Sequence, residues 1–308
     1  MSKQYSQGIT LVFGTAIISG FAIFINSFGV KGFNPYLYAF LRNILVALFL
    51  VGLIFGIKEF PCLKKLKKKD WLLLAIIGLV GGSIPFLLFF KGLSMTTAAS
   101  GAFIHKTMFI YVVILAAVFL KEKIPSRLFI TGALLLMGNL YFLKFLPVSF
   151  QMGDLLVLAA TLFWAVENII SKHALKTLSP RIVAFGRMGI GSIFIAIFLF
   201  FTGGLSAIPT LSTLHWQWVL ISGTILFGYV TTWYTGLKYV NVSTATVILL
   251  LGSPITSLLA FIFQGQSFTV HQLIGTGLLI LGIGLAIGLR VIWETLRNLP
   301  KFVYASRT

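Results

Sequence analysis

The chain has 308 residues, of which 58% are hydrophobic, 15% aromatic and only 10% charged, and its mean hydropathy is +1.02. Soluble domains carry about 25% charged residues, so this composition excludes a soluble globular domain and a disordered chain alike and points to a membrane protein. The formal net charge of +18 does not mark a nucleic-acid-binding protein, because most of the basic residues lie between apolar stretches.

Ten such stretches follow one another at 7–30, 36–57, 71–91, 96–120, 126–145, 152–174, 181–202, 216–237, 243–264 and 271–292. Each offers about the 20 residues that cross the hydrocarbon layer. Backbone groups in lipid must pair internally, so each stretch is expected to be a helix; a barrel would show short alternating strands instead. The expected fold is an all-α membrane protein of ten transmembrane helices, with no room for an extramembrane domain. The first stretch has only Lys3 ahead of it and no small-residue cleavage site behind it, so it reads as a retained anchor and not a signal peptide.

The second stretch is followed by Lys58, Lys64, Lys65, Lys67, Lys68 and Lys69, the fourth by Lys121, Lys123 and Arg127, the sixth by Lys172, Lys176 and Arg181, and the eighth by Lys238. The tail adds Arg290, Arg297, Lys301 and Arg307, whereas the alternate connections hold only Lys31, Lys91 and Lys144. Lys and Arg collect in cytoplasmic loops, so both termini are expected in the cytoplasm, with the chain as a multi-pass protein of the cell (inner) membrane. Gly81-Gly82 with Pro85 interrupts the third stretch and Gly252-Ser253-Pro254 the ninth; there proline frees a carbonyl and bends the helix, giving a packing kink or a hinge. Gly284 and Gly288 form a small-residue stripe in the tenth, which internal packing or a homodimer would use. Trp71, Trp216, Trp218 and Trp293 read as interfacial anchors, and residues 293–308 as a basic cytoplasmic tail lying on an anionic leaflet.

The chain repeats itself. At a shift of 145, Gly8 falls on Gly153, Leu11 on Leu156, Pro35 on Pro180, Arg42 on Arg187, Trp71 on Trp216 and Gly78 on Gly223; at 144, Gly92-Leu93 falls on Gly236-Leu237, Glu122 on Gln266 and Gly138 on Gly282. The unit holds five helices, and an odd number turns the second copy upside down relative to the first. Residues 1–148 and 149–292 are thus expected to be inverted repeats, the architecture by which secondary transporters exchange outward-open and inward-open shapes around a central site.

Several short patterns recur in order along the whole chain. They are the arginine of the second helix of each half (Phe40-Leu41-Arg42 and Phe185-Gly186-Arg187), the Gly-Leu that closes the third, and Thr96-Thr97-Ala98-Ala99-Ser100 opening the fourth. Phe119-Leu120-Lys121-Glu122-Lys123 closes the fourth, and Phe163-Trp164-Ala165 with Lys172 marks the sixth. Together they make the chain resemble the drug/metabolite transporter superfamily, specifically its EamA-type permeases. The resemblance implies a ten-helix permease, often a metabolite or amino-acid exporter, with a cavity between the halves and the fifth and tenth helices peripheral. One departure stands out: the ninth helix has Pro254, whereas the fourth has Ile110 in its place, just after His105-Lys106-Thr107.

Ionisable groups inside a membrane are costly and usually face a cavity or one another. Lys106 in the fourth helix and Glu167 in the sixth are such groups, and their repeat mates are Leu250 and Ala22, so the shared fold does not require them. They are expected either to bind substrate and couple a proton or to form a fixed ion pair. His105 is a candidate proton relay or a packed histidine; Thr107 and Tyr111 share the opposite face of the fourth helix, and the charged face is favoured for the cavity. Trp164, Glu167, Asn168 and Ser171 form a polar-aromatic stripe in the sixth helix, and Tyr229, Thr232, Trp233 and Gly236 another in the eighth; such stripes line metabolite sites or fill helix interfaces. Arg42 and Arg187 recur in both halves and read as scaffold or gating residues, as do Pro85 and Pro254.

The function that follows is a secondary transporter moving small metabolites, amino acids or other carboxylate-containing solutes, by alternating access with export favoured. Its partners are the small-molecule substrate, the lipid bilayer and a proton as candidate coupling ion. No nucleotide-binding loop is present, no cofactor is expected, and with one cysteine, Cys62, and scattered histidines there is neither an intrachain disulfide nor a metal site. The alternatives are a membrane-embedded enzyme acting on lipid or isoprenoid substrates, which would need a cluster of acids or metal ligands, and a passive channel, which would need rings of equivalent groups.

Overall fold

A computed structural model describes residues 3–29, 34–93, 95–96, 98–124, 127–143, 151–265 and 269–287, with side chains at most of them. Every regular element among these residues is helical. The first half contains α1 (Lys3–Gly29), α2 (Pro35–Gly56), the short α3 (Phe60–Lys64), α4 (Lys68–Gly82), α5 (Ile84–Leu93), α6 (Ala98–Lys106), α7 (Met108–Phe119) and α8 (Arg127–Leu143). The second contains α9 (Met152–Ala174), α10 (Pro180–Phe185), α11 (Gly191–Phe201), α12 (Thr213–Tyr239), α13 (Val242–Ile248), α14 (Gly252–Gln264) and α15 (Val270–Ile287). Six stretches are long and apolar enough to cross a membrane: Lys3–Asn26, Pro35–Gly56, Lys68–Gly92, Met152–Ala174, Pro180–Phe201 and Val242–Phe263. Phe103–Phe119, Ile130–Tyr141 and Val270–Leu285 are shorter apolar helices.

The helices start where capping chemistry tells them to. Asn34 accepts hydrogen bonds from the backbone N–H groups of Tyr36 and Leu37 at 3.0 and 3.3 Å, and Pro35 takes the first helical position, where its missing N–H costs nothing. At the repeat-related start of α10, Ser179 accepts from the Ile182 N–H at 3.4 Å ahead of Pro180. Asp70 and its repeat counterpart His215 likewise accept from the backbone N–H groups of Lys67 and Ser212, at 2.9 and 3.0 Å. One cap geometry serves both halves with different side chains.

Breaks divide several of the expected continuous helices. α4 and α5 part at Ser83, and a 3-10 turn at Leu249–Leu251 precedes Gly252-Ser253-Pro254, where glycine and proline mark an interruption in the sequence. Two others carry no proline. α6 ends before Thr107, whose hydroxyl bonds back to the Ile104 carbonyl at 2.6 Å in competition with the helix ladder. Between α10 and α11 the backbone makes a π-turn over Gly186–Ile190. Gly284 is buried within the chain; Gly288, Trp293 and the tail 293–308 lie outside the described residues.

The halves interlock by exchanging partners. α1 packs on α12 and α5 on α9, so the first helix of each half lies against the third of the other. The contacts are made at repeat-related glycines. A Cβ on Gly8 would lie 3.2 Å from the Gly236 carbonyl oxygen and one on Gly236 3.0 Å from that of Gly8; at Gly92 and Gly153 both distances are 2.8 Å. Small residues let helix backbones approach this closely. α8 and α15 pair with each other through the matching Gly138 and Gly282.

Candidate functional site

The centre of the structure is built around the break in α4–α5. In an unbroken helix the Gly81 carbonyl would accept from residue 85, which is proline and has no N–H. The freed oxygen accepts instead from Trp164 Nε1 at 3.1 Å and Arg187 Nε at 3.3 Å. Glu167, on α9 and 0% exposed, completes the cluster. Its Oε1 accepts from Ser171 Oγ at 2.5 Å and Tyr234 Oη at 2.6 Å, and its Oε2 lies 3.6 Å from Arg187 Nη1. Tyr234 in turn accepts from Arg187 Nη1 at 3.3 Å, so one phenol bridges acid and base. Glycine is required at this crossing: a Cβ on Gly81 would overlap the Glu167 side chain and one on Gly82 the Arg187 carbonyl oxygen. The π-turn carries Arg187 into this position, and such bulges often occur at functional sites.

The ion pair therefore differs from the one anticipated between Glu167 and Lys106. Glu167 is paired with Arg187, because α4 packs closely on both: Gly82 meets the π-turn and Gly81 meets Glu167 of α9. Tyr234 and the Gly81 carbonyl went unanticipated. Tyr234 falls outside the polar stripe of its helix, although Pro85 in the sequence does mark Gly81 as a carbonyl in need of a donor.

Arg42, the repeat mate of Arg187, is 4% exposed. Its guanidinium carbon lies 5.7, 5.4 and 5.8 Å from the ring centroids of Tyr38, Phe86 and Phe90, and that of Arg187 lies 6.0 Å from the same Phe86 ring. Its Nε has no hydrogen-bond partner. Among the described residues no carboxylate lies within ion-pair distance of it.

His105 and Lys106 line a cavity of about 40 Å³ together with Ser19, Met108 and Phe109 from the first half and Tyr229, Thr246, Leu249 and Leu250 from the second. The His105 ring lies 5.3 Å from Phe89 and 5.0 Å from Trp164, and Trp164 lies 5.4 Å from Phe86. A continuous aromatic wall thus joins the cavity to the arginines. Tyr229 stacks at 6.4 Å on the buried Trp233. Asn168 donates to the Trp164 carbonyl at 2.8 Å, Tyr111 packs against the core, and Pro254 sits in the first turn of α14. Among the described residues no group of three metal-ligating side chains converges.

Polar contacts outside this centre also tie the halves together. Glu59, after α2, accepts from Arg181, through Nε at 3.0 Å and through Nη2, and from Ser179 Oγ at 3.1 Å. Glu122, after α7, takes the N-terminus of α13, accepting from the Val242 N–H at 2.9 Å and Ser243 Oγ at 2.5 Å. Lys172, within the second half, donates to the Leu237 and Val240 carbonyls at 2.6 and 2.7 Å. Elsewhere Thr96 donates to Asp154 at 2.5 Å. The hydrogen bond from Arg181 holds the Glu59 carboxyl below its ordinary value of 4.5, helped by the charge of Arg181 and by Ser179 against partial burial. A depressed carboxylate stabilises the fold above its unfolded pKa, and that contribution is lost as pH falls through the folded value. Glu59→Gln should therefore lower stability by about 0.5–1 kcal/mol at pH 7 and by progressively less below the ordinary carboxylate range, as paired melting curves at neutral and acid pH would read.

Apolar helices, interlocked halves and a charged centre with a cavity between them define a multi-pass membrane protein with the architecture of a small-molecule transporter. The comparisons with known proteins agree. The EamA-like transporter family matches residues 6–143 and again 151–288, and the chain belongs to that family. It is 27% identical to the uncharacterized transporter YyaM of Bacillus subtilis (strain 168), over 90% of this chain and 92% of that one. It is 29% identical to the riboflavin transporter ImpX of Fusobacterium nucleatum subsp. nucleatum, over 78% of this chain and 84% of that one. A crystal structure of a protein 17% identical superposes with a TM-score of 0.77 over 92% of this chain and 98% of its own, a likeness of fold.

Proposed function

We propose that this chain is a secondary transporter of small metabolites, amino acids or other carboxylate-containing solutes, working by alternating access between two inverted halves of five membrane-spanning helices each, residues 1–148 and 149–292. The observation that carries the reading is the central cavity, lined from both halves with Lys106 in its wall and flanked by the buried charges of Glu167, Arg42 and Arg187. At about 40 Å³ it falls well short of the roughly 300–1,000 Å³ of a small-molecule pocket. This arrangement is closed, and cargo enters when the halves move apart. The substrate region comprises Lys106, His105, Asn168, Trp164, Tyr229 and Trp233, with Thr107 and Tyr111 on the far face of the fourth helix. The breaks at Pro85 and before Pro254 are where the helices bend, and Glu59–Arg181 and Glu122–Ser243 are contacts between halves that must open on one face. The positive charge between alternate spans supports a cytoplasmic position for that face and both termini, in the cell (inner) membrane. Glu167 carries the coupling proton, with export as the favoured direction.

Counterflow in proteoliposomes tests this, using labelled amino acids, small carboxylates and riboflavin with and without an imposed pH gradient. Saturable exchange of one solute class is expected, with the pH-driven component lost in Glu167→Gln. Transport with full pH drive in that variant would remove Glu167 from coupling; ion currents without saturable exchange would favour a channel instead.

A further inference from the structure

The two repeat-related arginines have opposite surroundings. Arg187 is tied to Glu167 and Tyr234. At the corresponding positions of the first half, the mate of Glu167 is Ala22 at the shift of 145 and the mate of Tyr234 is Phe90 at 144. Arg42 has thus lost both groups that neutralise its counterpart: where Arg187 meets a phenol, Arg42 lies over the Phe90 ring, and its Nε is buried without a partner. An uncompensated guanidinium in a membrane interior is costly unless something else supplies the counter-charge. Around the centre, among the described residues, Arg42, Lys106 and Arg187 stand against one carboxylate, that of Glu167. The rings of Phe86 and Phe90, which cover Arg42, belong to α5, which begins just beyond the break at Ser83. The same rings continue through Trp164 and His105 to the cavity.

We infer that Arg42 is the anion-recognition residue of the transport site: the cargo is an organic anion whose carboxylate replaces the missing acid of the first half, while its apolar or aromatic body lies along the rings of α5. A planar guanidinium suits a carboxylate bidentately, and the phenylalanines give a body of moderate size an apolar wall. The inference rests on the transporter reading of this site and adds to it the charge of the cargo and the side chain that selects it.

Thermal unfolding of the detergent-purified full chain tests it with phenylacetate and its neutral isostere phenylacetamide. The anion is expected to raise the melting temperature by about 2 °C at ten times its dissociation constant, and the amide to leave it unmoved. Arg42→Gln should abolish the shift. Because that variant removes a buried side chain and can fail to fold, Ala22→Glu serves as a second: it keeps Arg42, supplies the acid that the second half possesses, and should also abolish the anion shift. Equal responses to anion and amide in the wild type overturn the inference, as does an anion preference retained in folded Arg42→Gln or, where that variant is unfolded, in Ala22→Glu. A failed transporter reading is distinguishable, because it would show as absent counterflow for every solute.

Discussion

Glu167→Gln is expected to lower the stability of the protein by about 3 kcal/mol, and Arg187→Met by a similar amount, whereas the double variant should recover most of the loss. Both groups are buried among α4, α9 and α12, and Tyr234 is bonded to each. Removing one partner leaves the other charge uncompensated, which typically costs 3–5 kcal/mol. Replacing both removes the desolvation penalty together with the attraction, so the pair as a whole is worth much less than either single variant suggests. A double-mutant cycle on melting curves measures the difference; losses that simply add would mean that the two side chains do not act on each other. The same cycle separates structure from transport, since a double variant that folds well but has lost pH-driven exchange assigns Glu167 a role beyond holding Arg187 in place.

The second large effect is expected from a single methyl group. Gly82→Ala should cost about 3 kcal/mol and strongly reduce exchange, because the new Cβ would overlap the carbonyl oxygen of Arg187. Backbone cannot rotate aside as a side chain can, so the π-turn and α4 would have to separate. The control is Gly52→Ala in α2, where a Cβ meets nothing within 4 Å; there the gain in helix propensity should stabilise by about 0.5–1 kcal/mol. Similar melting temperatures for the two variants would contradict the packing described at the α4 crossing.

Much of the architecture was legible in the residues. Six of the span positions follow from hydropathy, the helix starts from Asn34-Pro35 and Ser179-Pro180, and the two family repeats from matched glycines and arginines. The helix breaks were legible only where proline or paired glycines caused them. The break at Thr107 arises from a hydroxyl choosing a nearby carbonyl, and the π-turn at Gly186–Ile190 from packing against Gly78 and Gly82, neither of which leaves a periodic signal. The site was partly legible for the same reason. Buried charges could be located along the chain, but which of them meet depends on the rotation and bend of each helix. A one-residue difference in facing separates Trp233, which was anticipated, from Tyr234, which bonds to Glu167.

The glycine contacts Gly8–Gly236 and Gly92–Gly153 also bear on how the chain is made. α1 is synthesised well before α12, yet its glycine-lined face fits α12, which follows only after α2 to α11 have been produced. Until then α1 can shield that face only with lipid or with the insertion machinery, and α5 must likewise wait for α9. Because each half completes the other's packing, the first half leaving the ribosome is an unfinished intermediate: the α5–α9 crossing becomes available once α9 is made, the α1–α12 crossing only later. A substitution at either glycine pair would then act chiefly on the yield of inserted protein, through quality control during biogenesis, before any effect on transport could be measured.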